Sequence, residues 1–173
     1  MDSEREPRPA RARAQPSLKG RALRYLSRRE HSRLELRRKL APHAESPEQL
    51  DRVLDELEAA RLLSNRRFAE SLVYRKAARF GTALIRHELR SHKLDADLVD
   101  GQVAALNDSE LARARALWEG RFGEPADAPQ ARAKQYRFLL SRGFRADVVR
   151  RVVGGGGVDA DEADIDLSGL DDS

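Results

Sequence analysis

The sequence has no cysteine, which removes disulfide frameworks, thiolate metal sites and thiol nucleophiles together. It fits a reducing compartment. Nowhere do apolar residues run for the roughly 18 positions of a membrane-crossing helix, and the stretch from Met1 to Pro16 has no hydrophobic segment of the secretory kind. A membrane partner is therefore not expected, and the cytoplasm is the expected location. The four histidines are scattered. His87 and His92 stand five apart, His31 and His43 fall in predicted turns where solvated rings are usual, and no HExxH spacing occurs. Gly154 to Gly157 lacks the Gly-Lys-Ser/Thr ending of a phosphate loop, and no serine sits in a nucleophile elbow. These absences predict no metal, no cofactor and no catalytic residue, so a non-enzyme.

What is present favours helices. Leu, Ala, Arg and Glu dominate, with 40% of residues apolar and 36% charged, enough for a thin core. The hydrophobic period is helical throughout 18–153, without strand alternation. A helix over 18–29 would place Leu18, Ala22, Tyr25 and Leu26 on one face. Ser32 with Glu35 forms a capping-box pattern for the next, which ends near Leu40 before Pro42. Ser46-Pro47-Glu48-Gln49 opens a third, with Leu50, Val53, Leu54 and Leu57 as its buried stripe. Further helices are predicted over 65–80, around Leu84–Leu89, after Asp95, from Ser109 to Phe122, before Gly143 and through Val148–Val153. Phe68, Phe138 and Phe144 fall in apolar stripes and read as core.

Residues 89–99 and 139–149 align at an offset of 50 with five identities, each a helix end, a tight turn and a new helix. The predicted fold is all-α, an elongated array of three tandem three-helix, helix-turn-helix-like repeats. The expected organisation is a disordered basic and proline-rich arm over 1–17, repeats over 18–63, 64–106 and 107–153, and a glycine linker with a disordered acidic tail over 154–173.

Charge is segregated. Residues 17–153 hold 29 basic against 19 acidic residues, whereas 158–173 hold seven acids and no base. Of the 33 basic residues 28 are arginine, a ratio that GC-rich coding alone could produce, but such a bias does not place the charges. Residues 17–43 carry nine bases and two acids, while 45–61 carry two and six; 64–93 carry eight and two, while 95–106 carry three acids only. The third repeat breaks the rule, with Arg145, Arg150 and Arg151 against Asp147. The sorting predicts a positive flank with a more negative flank opposite, and hence an anionic or nucleoprotein partner. Arg24, Arg28, Arg29, Arg37, Arg38, Arg75, Lys76, Arg79, Arg86 and Arg90 are its candidate contacts, because the guanidinium fork binds phosphate or carboxylate bidentately. The aromatics do not interleave with them, so backbone or protein-groove contact fits better than base stacking.

Three stretches resemble the RecX family, regulators of the RecA recombinase. They are Ala22, Tyr25-Leu26-Ser27-Arg28-Arg29, Ser32, Glu35-Leu36 and Leu40; Leu63, Arg67-Phe68-Ala69, Gly81 and Glu88-Leu89; and Tyr136 through Leu140 with Arg142-Gly143-Phe144. Their order and spacing carry the likeness across about 18–153. It implies tandem three-helix repeats, and binding along the groove of a RecA–DNA filament with inhibition of its ATPase, strand exchange and coprotease activities. The implied partners are the RecA filament and single-stranded DNA within or beside it, with the regulator a monomer. Ser64 and Asn65 stand where the family commonly has acidic residues, and both can still cap the helix that follows. The acidic tail lies outside the family pattern. It reads either as solubilising disorder or as a segment that folds back on the basic flank. The alternatives to a filament modulator are a direct, non-specific DNA-binding helical protein and a general helical scaffold.

Overall fold

Three serines open the first three helices with their own side chains. In the computed structural model, which describes residues 16–154, α1 (Leu18–Leu26), α2 (Arg33–Leu40) and α3 (Pro47–Ala59) follow Ser17, Ser32 and Ser46. Their hydroxyls accept from the backbone N–H groups of Gly20, Glu35 and Gln49 at 3.1, 3.0 and 3.2 Å. These are donors that a first helical turn leaves without partners. Pro42 lies in a single 3-10 turn, Ala41–His43, that links α2 to α3. Then come α4 (Asn65–Lys76), α5 (Thr82–Ser91), α6 (Ala96–Phe122), α7 (Pro129–Leu140) and α8 (Ala146–Val153), with no strand among the described residues. The arm over 1–15 and the tail over 155–173 lie outside the described residues.

The helices group in threes: α1 to α3; α4, α5 and the N-terminal stretch of α6; the C-terminal stretch of α6, α7 and α8. The two helices predicted after Asp95 and from Ser109 are one helix of 27 residues. No glycine or proline stands between Leu106 and Leu111 to break it. Ser109 starts nothing, because its hydroxyl donates back to the Leu106 carbonyl at 3.2 Å. A division at 106/107 therefore falls inside a continuous helix. The offset-50 likeness reaches the backbone: α6 and α8 begin at Ala96 and Ala146, and the preceding turns both carry a positive φ, 52° at Lys93 and 79° at Gly143.

The chain divides after Phe68 into two compact units. The first is built on Ala22, Leu36, Leu40, Leu50, Leu54, Leu57 and Leu63. Each such leucine contributes about 1.5–3 kcal/mol by leaving water. Ser64 caps α4, accepting from the Arg67 N–H at 3.3 Å. Asn65 does a different job from the one expected: its side-chain oxygen accepts from the N–H of Arg33, the first residue of α2, at 2.9 Å. His31, expected in a solvated turn, is 3% exposed, with Nδ1 2.9 Å from the Arg29 carbonyl.

The second unit packs Ala114 and Trp118 of α6, Leu139 of α7, and Phe144, Val148, Val149, Val152 and Val153 into one core. Here two turns touch backbone to backbone. The Gly81 N–H donates to the Arg142 carbonyl at 2.8 Å and the Ala83 N–H to the Gly143 carbonyl at 3.2 Å. A Cβ on Gly81 would lie 2.1 Å from the Gly143 oxygen, so only glycine fits. Beside them Glu110 is fully buried. Its Oε1 accepts from the Thr82 N–H at 3.1 Å, and its Oε2 lies 2.9 Å from Arg145 Nε as an ion pair without hydrogen-bond alignment. Arg113 donates to the carbonyls of Ala77 and Phe80, both at 2.7 Å, and of Leu106 at 3.1 Å. It also reaches the hydroxyls of Thr82 and Ser109 at 3.3 and 3.2 Å.

Candidate partner-binding surface

The ten candidate cations fall into distinct environments. In the first unit Arg24, Arg28 and Arg38 are exposed and have no carboxylate partner among the described residues. Arg24 and Arg28 stand four apart, a spacing that shares a helix face, although Arg28 lies just past the end of α1. Arg29 is held by Glu35 through both terminal guanidinium nitrogens, with Nη1 at 3.0 Å from Oε2. Burial pushes the Glu35 carboxyl up, but the hydrogen bond and charge of Arg29 outweigh it and hold its pKa below the usual value. Arg37 pairs with Asp51 at 2.7 Å.

Neighbouring pairs give the charge sorting a second physical reason. Arg33 of α2 meets Asp55 and Glu58 of α3 at 2.7 and 2.5 Å, and Lys19 of α1 meets Glu56 at 2.8 Å. Acidic α3 faces its cations within the repeat. A partner that used Arg29 or Arg37 would have to displace a carboxylate, whereas Arg24, Arg28 and Arg38 are available at once.

In the second unit Arg75, Arg79 and Arg90 are exposed. Arg75 donates to the Ser71 hydroxyl at 2.8 Å, and Arg79 stands 5.8 Å from the Phe80 ring. Lys76 is paired with Glu88 at 2.5 Å and lies 5.3 Å from the same ring. Arg86 is half-buried, and its Nε is buried with no hydrogen bond. Arg86 and Arg90, four apart on α5, share a face of that helix.

Two features were missed in the sequence. Tyr74 is 88% exposed on α4 beside Arg75, where its place in a helical period gave no sign of its direction. The second is a groove of about 630 Å³ in the second unit, lined by Ala78, Ala116 and Gly120, by Leu117 and Phe138, and by Arg121 and Arg142. Phe138, read as core, is only half-buried, because it packs against the core from the groove wall, with the Arg142 guanidinium over its ring at 3.9 Å. The available signal was the spacing of Ala116 and Gly120 on the face of α6 away from buried Ala114 and Trp118. Among the described residues no three His, Asp or Glu gather as a metal site would require. No helix there is long and apolar enough to cross a membrane.

Comparison with known proteins covers nearly all of the described chain. Profiles for the first, second and third three-helix domains of RecX match residues 19–57, 64–101 and 108–153. A protein named Regulatory protein RecX from Ralstonia nicotianae is 54% identical over 148 residues, 86% of this chain and 93% of that one. One of the same name from Leptothrix cholodnii is 56% identical over 142 residues, 82% and 90%. The crystal structure of RecX from Lactobacillus salivarius superimposes with a TM-score of 0.65 over 80% of this chain and 94% of that one, at 19% identity, a likeness of fold. With each of its three-helix segments matched in order and relatives more than half identical along most of its length, the chain belongs to the RecX family.

Proposed function

We propose that this chain is a regulatory protein that binds the RecA–DNA filament and lowers its ATPase, strand-exchange and coprotease activities. The observation that carries the reading is kinship: relatives 54–56% identical bear the name Regulatory protein RecX. The exposed arginines Arg24, Arg28, Arg38, Arg75, Arg79 and Arg90, none paired with a carboxylate among the described residues, support it as contacts for phosphate or carboxylate on the filament. It acts by docking, as a cytoplasmic monomer, without a chemical step of its own. The same arginines favour a second reading, non-specific binding to naked DNA, because phosphate contact needs no more than fixed positive charge.

The test is RecA-catalysed ATP hydrolysis on single-stranded DNA with the protein titrated in near physiological salt. Filament regulation predicts inhibition far below one copy per RecA, under conditions where bare-DNA binding is already lost to salt. Inhibition only on saturating the strand would instead leave a basic competitor. Combining Arg24→Glu, Arg28→Glu and Arg38→Glu should weaken inhibition at least about tenfold, or ~1.4 kcal/mol, with the helical content unchanged.

A further inference from the structure

We propose that the groove in the second unit is a docking site for the chain's own acidic C-terminal segment, residues 158–173, with Ile165, Leu167 and Leu170 seated on its apolar lining and the flanking acids on Arg121 and Arg142. Three observations lead there. The first is charge. Arg121 and Arg142 line the groove, and neither has a carboxylate partner among the described residues. Arg142 is already oriented, since it donates to the Phe138 carbonyl at 3.3 Å while covering the ring. Residues 158–173 carry seven acids and no base, the complementary sign at high density.

The second is the pattern of that segment. Its large apolar residues are not spread out: Ile165, Leu167 and Leu170 fall within six positions, bracketed by Asp161, Glu162 and Asp164 before and Asp171 and Asp172 after. A purely solubilising tail gains nothing from such a cluster, whereas a groove lined by Leu117, Phe138 and small residues offers it a dry surface.

The third is connection. α8, from which the segment departs, packs on α6 and α7, the helices that supply most of the lining. From Gly154 to Ile165 an extended chain spans about 36 Å at 3.3 Å per residue. A compact body of about 85 residues has a radius of gyration near 12 Å, so the cluster reaches the groove without strain. Tethering adds an effective concentration of about millimolar order, enough to fill a site too weak to hold the same peptide free in solution. A partner entering the groove would have to displace the segment. Groove, α8 and segment all belong to this unit, so the docking holds whatever the partner of the whole protein.

The absence of cysteine makes the test clean. A nitroxide attached through Ser168→Cys in the full chain is read by paramagnetic broadening of backbone amides. Docking predicts broadening centred on Ala78, Ala116 and Gly120 at about 0.05 M salt, weakened at about 0.5 M as screening shortens. Two variants leave the folded units intact. A Cβ on Gly120 meets no atom within 4 Å, so Gly120→Leu plugs the groove without a clash. Ile165→Ser, Leu167→Ser and Leu170→Ser combined alter only the segment. Each should cut the broadening at the groove at least about threefold, as should Arg121→Glu. Broadening spread evenly over the surface, centred on Arg24, Arg28 and Arg38, or unchanged by Gly120→Leu and by the triple serine variant would overturn the proposal.

Discussion

Arg33 in the first unit crosses from α2 to Asp55 and Glu58 of α3, with its side chain 28% exposed and its partners more open still. Arg113 in the second unit turns inward and donates to three backbone carbonyls and two hydroxyls. The first arginine trades water for carboxylates that remain in water. The second replaces water with fixed dipoles, and burial lowers its pKa accordingly. Exposed pairs add little to stability and their partners can be exchanged, while this half-buried donor set cannot be reduced without leaving carbonyls short of a donor. Two turns also meet in the second unit at a distance only glycine allows. That unit adds fixed polar geometry to its apolar core, whereas the first carries its ion pairs at the edge of a leucine core.

The largest effect should come from Gly81→Ala. A methyl 2.1 Å from the Gly143 oxygen must push the touching backbones away from each other, at a cost of about 3 kcal/mol. Trp118, the only tryptophan, lies in the core of the second unit, so its fluorescence in a urea titration reads the loss there. A shift under about 0.5 kcal/mol, the range of an ordinary surface substitution, would break the contrast. Arg113→Met comes next, about 2 kcal/mol by the same probe, since the carbonyls of Ala77, Phe80 and Leu106 lose a donor. In the first unit, Arg33→Met should cost about 0.5–1 kcal/mol, seen as faster amide exchange in α3, and the difference should shrink in high salt.

The smallest effect is a pH dependence of the first unit. Burial, outweighing the Arg29 carbonyl and Glu35, lowers the His31 pKa from the usual 6.5. Protonation therefore favours the unfolded chain. His31's contribution is complete above pH 6.5 and falls as pH drops from there toward the lowered folded value. Glu35, held below 4.5, adds a second loss as pH falls from 4.5 through its own folded value. Amide protection factors at Leu36 and Leu54 should show the first decline, and His31→Gln should abolish it. An unchanged protection factor, the exchange rate taken relative to the intrinsic rate at each pH, from pH 7.5 to about 5.5, spanning the histidine range, would contradict the burial of this ring.

The legible features were those that act over a few residues. Ser32 and Ser46 cap as read, because the hydroxyl and the N–H it serves stand three positions apart. Of the stripe Leu50, Val53, Leu54 and Leu57, the three leucines are buried as read and Val53 is half-buried beside them, and the family likeness drawn from short motifs agrees with the three matched domains. Asn65 was misread because the N–H it serves belongs to Arg33, 32 positions earlier. The break expected at Ser109 failed for a local reason, since polar residues alone do not end a helix whose two halves both pack. The candidate cations were drawn from composition and helix position. Which of them are paired depended on packing: Arg37 meets Asp51 of α3, Arg29 meets Glu35 of α2 and Lys76 meets Glu88 of α5.

The sequence by itself determined most of the helices, the caps at Ser32 and Ser46, the repeat and the family, because periodicity, capping and turn chemistry are properties of neighbouring residues. Tertiary structure decided which arginines face a carboxylate, why Gly81 must be glycine, and that Arg121, Arg142 and Phe138 line one groove. Those facts rest on distances between residues far apart in the chain, and such distances exist only once the helices have packed.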